Sequence, residues 1–313
     1  MEKETILKVE NLELSFTQYT QGLKKKQLTV ITNLDLELKE GEILAVVGSS
    51  GSGKSLLAHA ILGVLPYNAK TKGTVSYRGK NMTQKDKEQI RGHNIVLIPQ
   101  SVNYLDPLLT VEKQIGISLK KEKKAEREKQ IDDMLKRYGL DPAVKKYYPF
   151  QLSGGMARKV LLATALASSA DVIIADEPTP GLDEASLQEV LKDFRSLSDG
   201  GKAILMITHD INAALKIADR IAIFYAGTTL EVANSEDFAN SGQGLRHPYT
   251  KALQRALPDA AFKPIPGTQP LPNELPEGCL FSDRCSLCTA ECKTKRPDYR
   301  IIRGGKVRCI HAT

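Results

Sequence analysis

Ile43-Leu44-Ala45-Val46-Val47-Gly48-Ser49-Ser50-Gly51-Ser52-Gly53-Lys54-Ser55-Leu56-Leu57 is an apolar run of strand length that enters a glycine-rich turn and leaves it as an apolar helix pattern. The spacing from Gly48 to Gly53-Lys54-Ser55 is that of a phosphate-binding loop. Glycines let the backbone curl so that successive N–H groups point inward, and the helix N-terminus adds the positive end of its dipole. Lys54 is placed to reach β- and γ-phosphates, and the Ser55 hydroxyl to ligate Mg²⁺. The preceding strand and following helix are the context this reading requires.

Around that loop the chain has the composition of an ordinary globular protein: 313 residues, 41% hydrophobic and 26% charged. No window approaches 18 consecutive apolar residues. Met1-Glu2-Lys3-Glu4-Thr5 runs straight into a strand pattern without a signal peptide, so a cytoplasmic location is expected. The net charge of +7 is concentrated in local runs, Lys24 to Lys26, Lys120 to Arg127 and Lys145-Lys146. These read as solvated loops and helix faces. With no Trp and few aromatics among the charges, a base-stacking groove for nucleic acid is not expected.

Residues 6–17 alternate as a strand through Leu7, Val9, Leu12, Leu14 and Phe16, and Leu28 to Leu38 gives a second. Gly63 to Lys72 reads as loop, followed by a short strand and turn over Gly73 to Gly79, and Ile95 to Gln100 is another buried strand. From about 101 to 160 the texture becomes helical and heavily charged, which predicts a helical subdomain inserted into an α/β core. Strand and helix patterns then alternate through Ala226, as a parallel sheet with crossover helices requires. Beyond about 257 the chain turns Pro-rich and then Cys-rich, so the expected division is 1–256 and 257–313.

Val172-Ile173-Ile174-Ala175-Asp176-Glu177 supplies paired acids at a strand's C-terminal end, where ligands of open α/β sheets gather. Asp176 is expected to hold Mg²⁺ and Glu177 to orient and polarise the attacking water. His209 ends the strand Leu205 to Thr208 at the same sheet edge, and Gln100 ends another. Leu152-Ser153-Gly154-Gly155-Met156, running into an apolar helix, is a second anion-binding N-terminus. A single phosphate loop does not need two such sites; a dimer whose chains roof each other's nucleotide does.

The order of phosphate loop, Gln100, Leu152-Ser153-Gly154-Gly155, Asp176-Glu177, Asp183 and His209 resembles the ATPase subunits of ABC transporters over most of residues 5–255. That resemblance implies a mostly parallel α/β core with an antiparallel β subdomain and an inserted helical one, binding ATP and Mg²⁺. It implies nucleotide contacts from Gly48, Ser49, Gly51, Ser52, Gly53, Lys54, Ser55 and Leu56. Phe16 would stack on adenine, with Tyr19 near enough to compete. Gln100 would couple Mg²⁺ to the helical subdomain, and Ser153, Gly154 and Gly155 would contact the partner's γ-phosphate. Pro180 to Asp183 would form the loop between subunits, and His209 would hold γ-phosphate and water. Met156 stands where the commonest signature has Gln.

The tail narrows the resemblance to oligopeptide, dipeptide and nickel importers, through His247-Pro248-Tyr249-Thr250 and Gly278-Cys279-Leu280-Phe281-Ser282-Asp283-Arg284-Cys285. Cys279, Cys285, Cys292 and Cys309 have that family's spacing, and Cys288 is extra. Cytosolic thiols stay reduced, which argues against disulfides. Four thiols in a Pro-rich tail with little apolar pattern suggest a metal standing in for a core. The resemblance implies a [4Fe–4S] cluster on those four residues; a structural Zn²⁺, with His311 able to replace one Cys, and free thiols stay open. The partners implied are a second, homologous ATPase subunit, two transmembrane permease subunits and, indirectly, an extracytoplasmic solute-binding protein, with this chain peripheral on the cytoplasmic face of the membrane. Ser101 to Pro107 would face a coupling helix of the permease. A nickel or metal-chelate importer and a soluble ATPase acting on ribosome or DNA are the alternatives.

Overall fold

The structure, a computed structural model, describes residues 3–19, 24–49, 51–119, 122–258 and 260–313. Ser50 of the phosphate loop and Lys120 and Lys121 of the basic run lie outside them. Two sheets organise the fold. The smaller is antiparallel in the order β2-β1-β4-β5, built from β1 (Thr5–Tyr19), β2 (Lys25–Lys39), β4 (Ala69–Tyr77) and β5 (Lys80–Asn81). Alternation along β1 slips phase between Val9 and Leu12 because Asn11 takes a left-handed φ of 48° inside a register shift. The bulge returns Leu12 and Leu14 to the buried side. β4 begins earlier than the sequence reading had it: Ala69 to Lys72, expected as loop, pair with Phe16 to Glu13. The long edge of β1 recruits residues whose own pattern is polar.

The larger sheet runs β11-β12-β10-β9-β3-β8-β7-β6. Its five core strands are parallel: β3 (Ile43–Val47), β6 (Ile95–Ile98), β7 (Val172–Asp176), β8 (Ala203–Thr208) and β9 (Arg220–Tyr225). Strands buried on both faces read as continuous apolar runs rather than alternating ones, and β3, β7 and β8 are buried at every residue. Alternate β3 residues feed two cores. Leu44 and Val46 join the small sheet and α1 (Lys54–Leu62); Ile43, Ala45 and Val47 join the helical side. That side holds α3 (Val111–Ser118), α4 (Lys124–Arg137), α5 (Gly154–Leu166), α6 (Glu184–Asp199) and α7 (Ile211–Ile217). The helix opened by Ser153 runs to Leu166, past the boundary expected near 160. The short α2 (Gln84–Ile90) is held by a capping box between Thr83 and Asp86.

The tail does not form a separate unit. β10 (Thr228–Asn234) makes a hairpin with β9, and the C-terminal pair β11 (Arg300–Ile302) and β12 (Gly305–Val307) extends the sheet through β10. Between them lie α8 (Ala239–Gly242), α9 (Pro248–Arg255) and α10 (Ala290–Thr294). Arg246, fully buried, ties the parts together. Its Nη1 meets Glu231 Oε1 at 3.3 Å and Asp237 Oδ2 at 2.8 Å, while Nε and Nη2 donate to the carbonyls of Ile302 and Arg303. Both oxygens of Glu231 also accept backbone N–H groups, from Arg246 and His247, each at 2.9 Å. Next to it, Nδ1 of the buried His247 caps α9 by accepting from Tyr249 N–H. Phe281 packs edge-on to Tyr225 at 5.6 Å and against Tyr249 at 5.2 Å. Leu280 and Phe281 therefore give the tail an apolar core of its own, continuous with the main one. Sequence alone did not show it, because its apolar residues are dispersed without a period.

Candidate nucleotide site

Four adjacent parallel strands bring their C-terminal ends to one edge. In sheet order β3, β8, β7 and β6 deliver the phosphate loop, His209, Asp176-Glu177 and Gln100. The loop is shaped by its glycines. A Cβ on Gly48 would lie 2.4 Å from the Phe224 carbonyl oxygen, so only glycine lets β9 pass so close. Gly53 caps α1 at φ 99°, a left-handed conformation that favours glycine. Lys54 is buried and its ammonium donates to the carbonyls of Gly48 and Ser49, each at 2.8 Å. Burial pushes its pKa down, opposed by the charges of Glu177 and Asp176. The Ser52 hydroxyl closes the turn on the Ser49 carbonyl at 2.7 Å, and Leu56, half-buried, sits in the first helical turn. One contact comes from the tail: Ser49 Oγ donates to Gln269 Oε1 at 2.9 Å.

Asp176 is almost completely buried, and burial pushes its carboxyl pKa up against an opposing hydrogen bond from Ser55. Its Oδ1 has no hydrogen-bond partner. A buried carboxylate oxygen left bare beside a serine hydroxyl suits a hard, oxygen-seeking cation, so the residues present fit Mg²⁺. Glu177 sits at φ 47°, in the left-handed region, with its N–H bonded to the Ile207 carbonyl at 2.8 Å. Such strain in a non-glycine residue persists where its surroundings over-determine it. Both its carboxylate oxygens lie 2.9 Å from His209 Nδ1, and the His209 ring is half exposed. The pair presents a buried base and an exposed imidazole toward the loop edge.

Other expected residues lie around this centre. Gln100 is exposed, with its backbone carbonyl fixed by Arg158. Ser153 caps α5 by accepting from Met156 N–H at 3.3 Å, and Gly154 is exposed with open space around it. A Cβ on Gly155 would come 3.4 Å from the Gly181 carbonyl, so this turn rests on the Pro180–Asp183 loop. Asp183 caps α6 through Ser186 N–H and also pairs with Lys159 at 3.0 Å. Phe16 belongs to the small sheet and is half-buried against its core, whereas Tyr19 is well exposed beneath the Lys25 ammonium. Sequence reasoning gave no role to Arg158 or Gln269. A basic residue on an apolar helix was the only available signal for the first, and nothing pointed to the second.

All five cysteines are free; Cys279, Cys292 and Cys309 are buried, while Cys285 and Cys288 are half-buried. Among the described residues no three His, Cys, Asp or Glu side chains group so as to hold a metal ion. As placed, then, Cys279, Cys285, Cys292 and Cys309 form neither the expected iron–sulfur ligand set nor a zinc site. Burial is the largest influence on Cys279, whose pKa it pushes up to about 11, and the neighbouring thiols add to the shift. It acts the same way on Cys285 and Cys309.

Comparisons with known proteins agree with this geometry. An ABC transporter family profile matches residues 31–180, and the profile of the oligopeptide/dipeptide transporter C-terminal region matches 230–292. The dipeptide transport ATP-binding protein DppD of Bacillus subtilis is 36% identical, over 95% of this chain and 92% of its own. The oligopeptide transport ATP-binding protein AppD of the same organism is 33% identical over 98% and 96%, and DppD of Escherichia coli is 31% identical over the same shares. Among solved structures, the dimeric ATP-binding cassette MJ0796 bound to ADP and Pi superposes with a TM-score of 0.64 at 28% identity, over 74% of this chain and 99% of its own. The chain belongs to the ATP-binding subunits of ABC transporters, in their oligopeptide/dipeptide transport group, and is an ABC-type ATPase.

Proposed function

We propose that this chain powers import of peptides through a separate membrane permease. It would work paired with a second, homologous ATPase subunit and be supplied by an extracytoplasmic solute-binding protein. The observation that carries this reading is that similarity to peptide-transport ATPases runs through the tail as well as the cassette, over 92% and 96% of two relatives' lengths. Among the described residues no helix is long and apolar enough to cross a membrane, which fits a subunit peripheral on the cytoplasmic face.

In this reading ATP is held by the phosphate loop from Gly48 to Leu56, with Phe16 under the adenine. Lys54 exchanges its two carbonyl partners for phosphate oxygens. Ser55, Asp176 and Gln100 are the residues that would hold Mg²⁺, which when bound would supply positive charge against the phosphates. Glu177 accepts a hydrogen bond from the attacking water, and His209, fixed by Glu177, faces the γ-phosphate. Ser153, Gly154 and Gly155 of one subunit and Asp183 beside them close on the partner's nucleotide, which fits the exposure of Ser153, Gly154 and Asp183. Ser101–Pro107, which carries the exposed Tyr104, is the face offered to the permease. The test is reconstitution with a permease and a partner ATPase subunit. Binding protein loaded with di- or oligopeptide is expected to stimulate ATP turnover; stimulation only by a nickel-loaded protein, or by ribosomes or DNA, would overturn the peptide assignment.

The finer proposal is that the tail takes a [4Fe–4S] cluster on Cys279, Cys285, Cys292 and Cys309. Support comes from backbone N–H groups of Phe281, Leu287 and His311, which donate to the sulfurs of Cys279, Cys285 and Cys309. Donors aimed at sulfur stabilise thiolate charge. The thiols of Cys279, Cys285, Cys292 and Cys309 are near enough for their charges to bear on one another. Anaerobically purified chain is expected to carry iron and sulfide with broad visible absorption. A colourless chain, with or without bound zinc, would remove the cluster.

A further inference from the structure

α5 places a cation in each of two successive positions after the Ser153-Gly154-Gly155 turn. Arg158, only 3% exposed, donates from Nη1 to the carbonyls of Pro99 at 2.6 Å and Gln100 at 2.9 Å. Lys159 holds Asp183 at 3.0 Å. The loop that carries Gln100 and the loop that carries Asp183 are thus both fastened to the first turns of one helix, whose N-terminus is the Ser153 turn. Arg158 Nε is buried without a partner. Hydrophobic side chains would fill an interior position without leaving a charge and a donor to satisfy there. A guanidinium kept under those conditions, with its bonds confined to the backbone of one loop, is suited to positioning that loop. The anionic groups bearing on it are Asp176 and Glu177 of the catalytic edge.

We propose that Arg158 is a positioning residue for ATP hydrolysis: it links the Gln100 loop to the Ser153 turn, so that the two reach the nucleotide together. The inference rests on the assignment of Gln100 to the nucleotide site. In this arrangement Arg158 acts through the backbone carbonyls of Pro99 and Gln100. It sets where the Gln100 side chain begins, and the charges of Asp176 and Glu177 bear on its guanidinium. A misplacement of about 1 Å at a catalytic group costs up to about 10²-fold in rate. Loss of Arg158 is therefore read in turnover rather than in nucleotide affinity, which the phosphate loop supplies.

The experiment compares Arg158→Met, Arg158→Lys, Gln100→Ala and the Arg158→Met/Gln100→Ala double variant of the full chain, assembled with its partner subunits. Fluorescent-nucleotide affinity, and kcat and KM for ATP, are measured for each. Arg158→Met is expected to lower kcat by about 10- to 100-fold with nucleotide affinity within about twofold of wild type. Arg158→Lys recovers most of the loss, since one ammonium can donate to both carbonyls. The double variant is no worse than the weaker single, because both changes remove one linkage. An Arg158→Met kcat within about twofold of wild type, or losses that multiply in the double variant, would overturn the proposal. Should Arg158→Met not fold, Arg158→Gln, which keeps N–H donors without charge, is read in the same cycle. A wild-type rate for Gln100→Ala would instead remove the role of Gln100 on which the inference rests.

Discussion

Glu177→Gln is expected to keep ATP binding and lose about 10²–10⁴-fold of turnover. Glutamine has the same shape and can still meet His209 Nδ1, so the edge of the sheet stays assembled. It cannot take up a proton from water, and as a neutral amide it polarises water far less. The backbone supports the same conclusion. Glu177 occupies a left-handed conformation anchored by the Ile207 carbonyl, a placement that turns its carboxylate toward His209 rather than along β7. Steady-state phosphate release, measured beside fluorescent-nucleotide binding, checks it. Wild-type turnover from the variant would show that another group prepares the water.

The second large effect falls on stability. Arg246→Ala is expected to destabilise the folded chain by about 3–5 kcal/mol, the usual consequence of removing one partner from a buried ion pair. Glu231 is fully buried and would lose its countercharge while keeping only the N–H groups of residues 246 and 247. The carbonyls of Ile302 and Arg303 would lose their donor inside the protein. Gly305 shows how closely the site is built: a Cβ there would lie 2.5 Å from the Arg246 guanidinium carbon. Chemical denaturation of wild type and variant measures the difference, and a change below about 1 kcal/mol would mean that water replaces the arginine. Arg246→Lys is expected to recover little, since one ammonium cannot serve Glu231, Asp237 and two carbonyls at once.

Much of this could be read from the sequence, for physical reasons. A strand buried on both faces must be continuously apolar, so β3, β7 and β8 announced themselves, and each ended at a residue with chemistry. Glycines and a lysine at fixed offsets identified the loop because phosphate binding needs that backbone. Interactions made through the backbone at long range were not legible. Arg158 works by gripping the carbonyls of residues 99 and 100, which carry no sequence signature. Nor did the polar residues Ala69 to Lys72 show that β1 would recruit them. The packing of the tail was not legible, because its cysteines dominated the pattern. Its folding rests on a buried arginine, a cluster of three aromatic rings and two strands of three residues, none of which has a period to detect.

Those two short strands govern how the protein meets its neighbours. β10 offers backbone donors and acceptors along its outer side, and β12 occupies them at Glu231 and Val232. The rim then passes to β11, only three residues long and opening with an arginine, too brief and too charged to template another chain. Cut away, the last fifteen residues would take both strands with them and leave an unfinished hem on a six-strand fabric, and the shortened polypeptide would self-associate edge to edge before any question of catalysis arose.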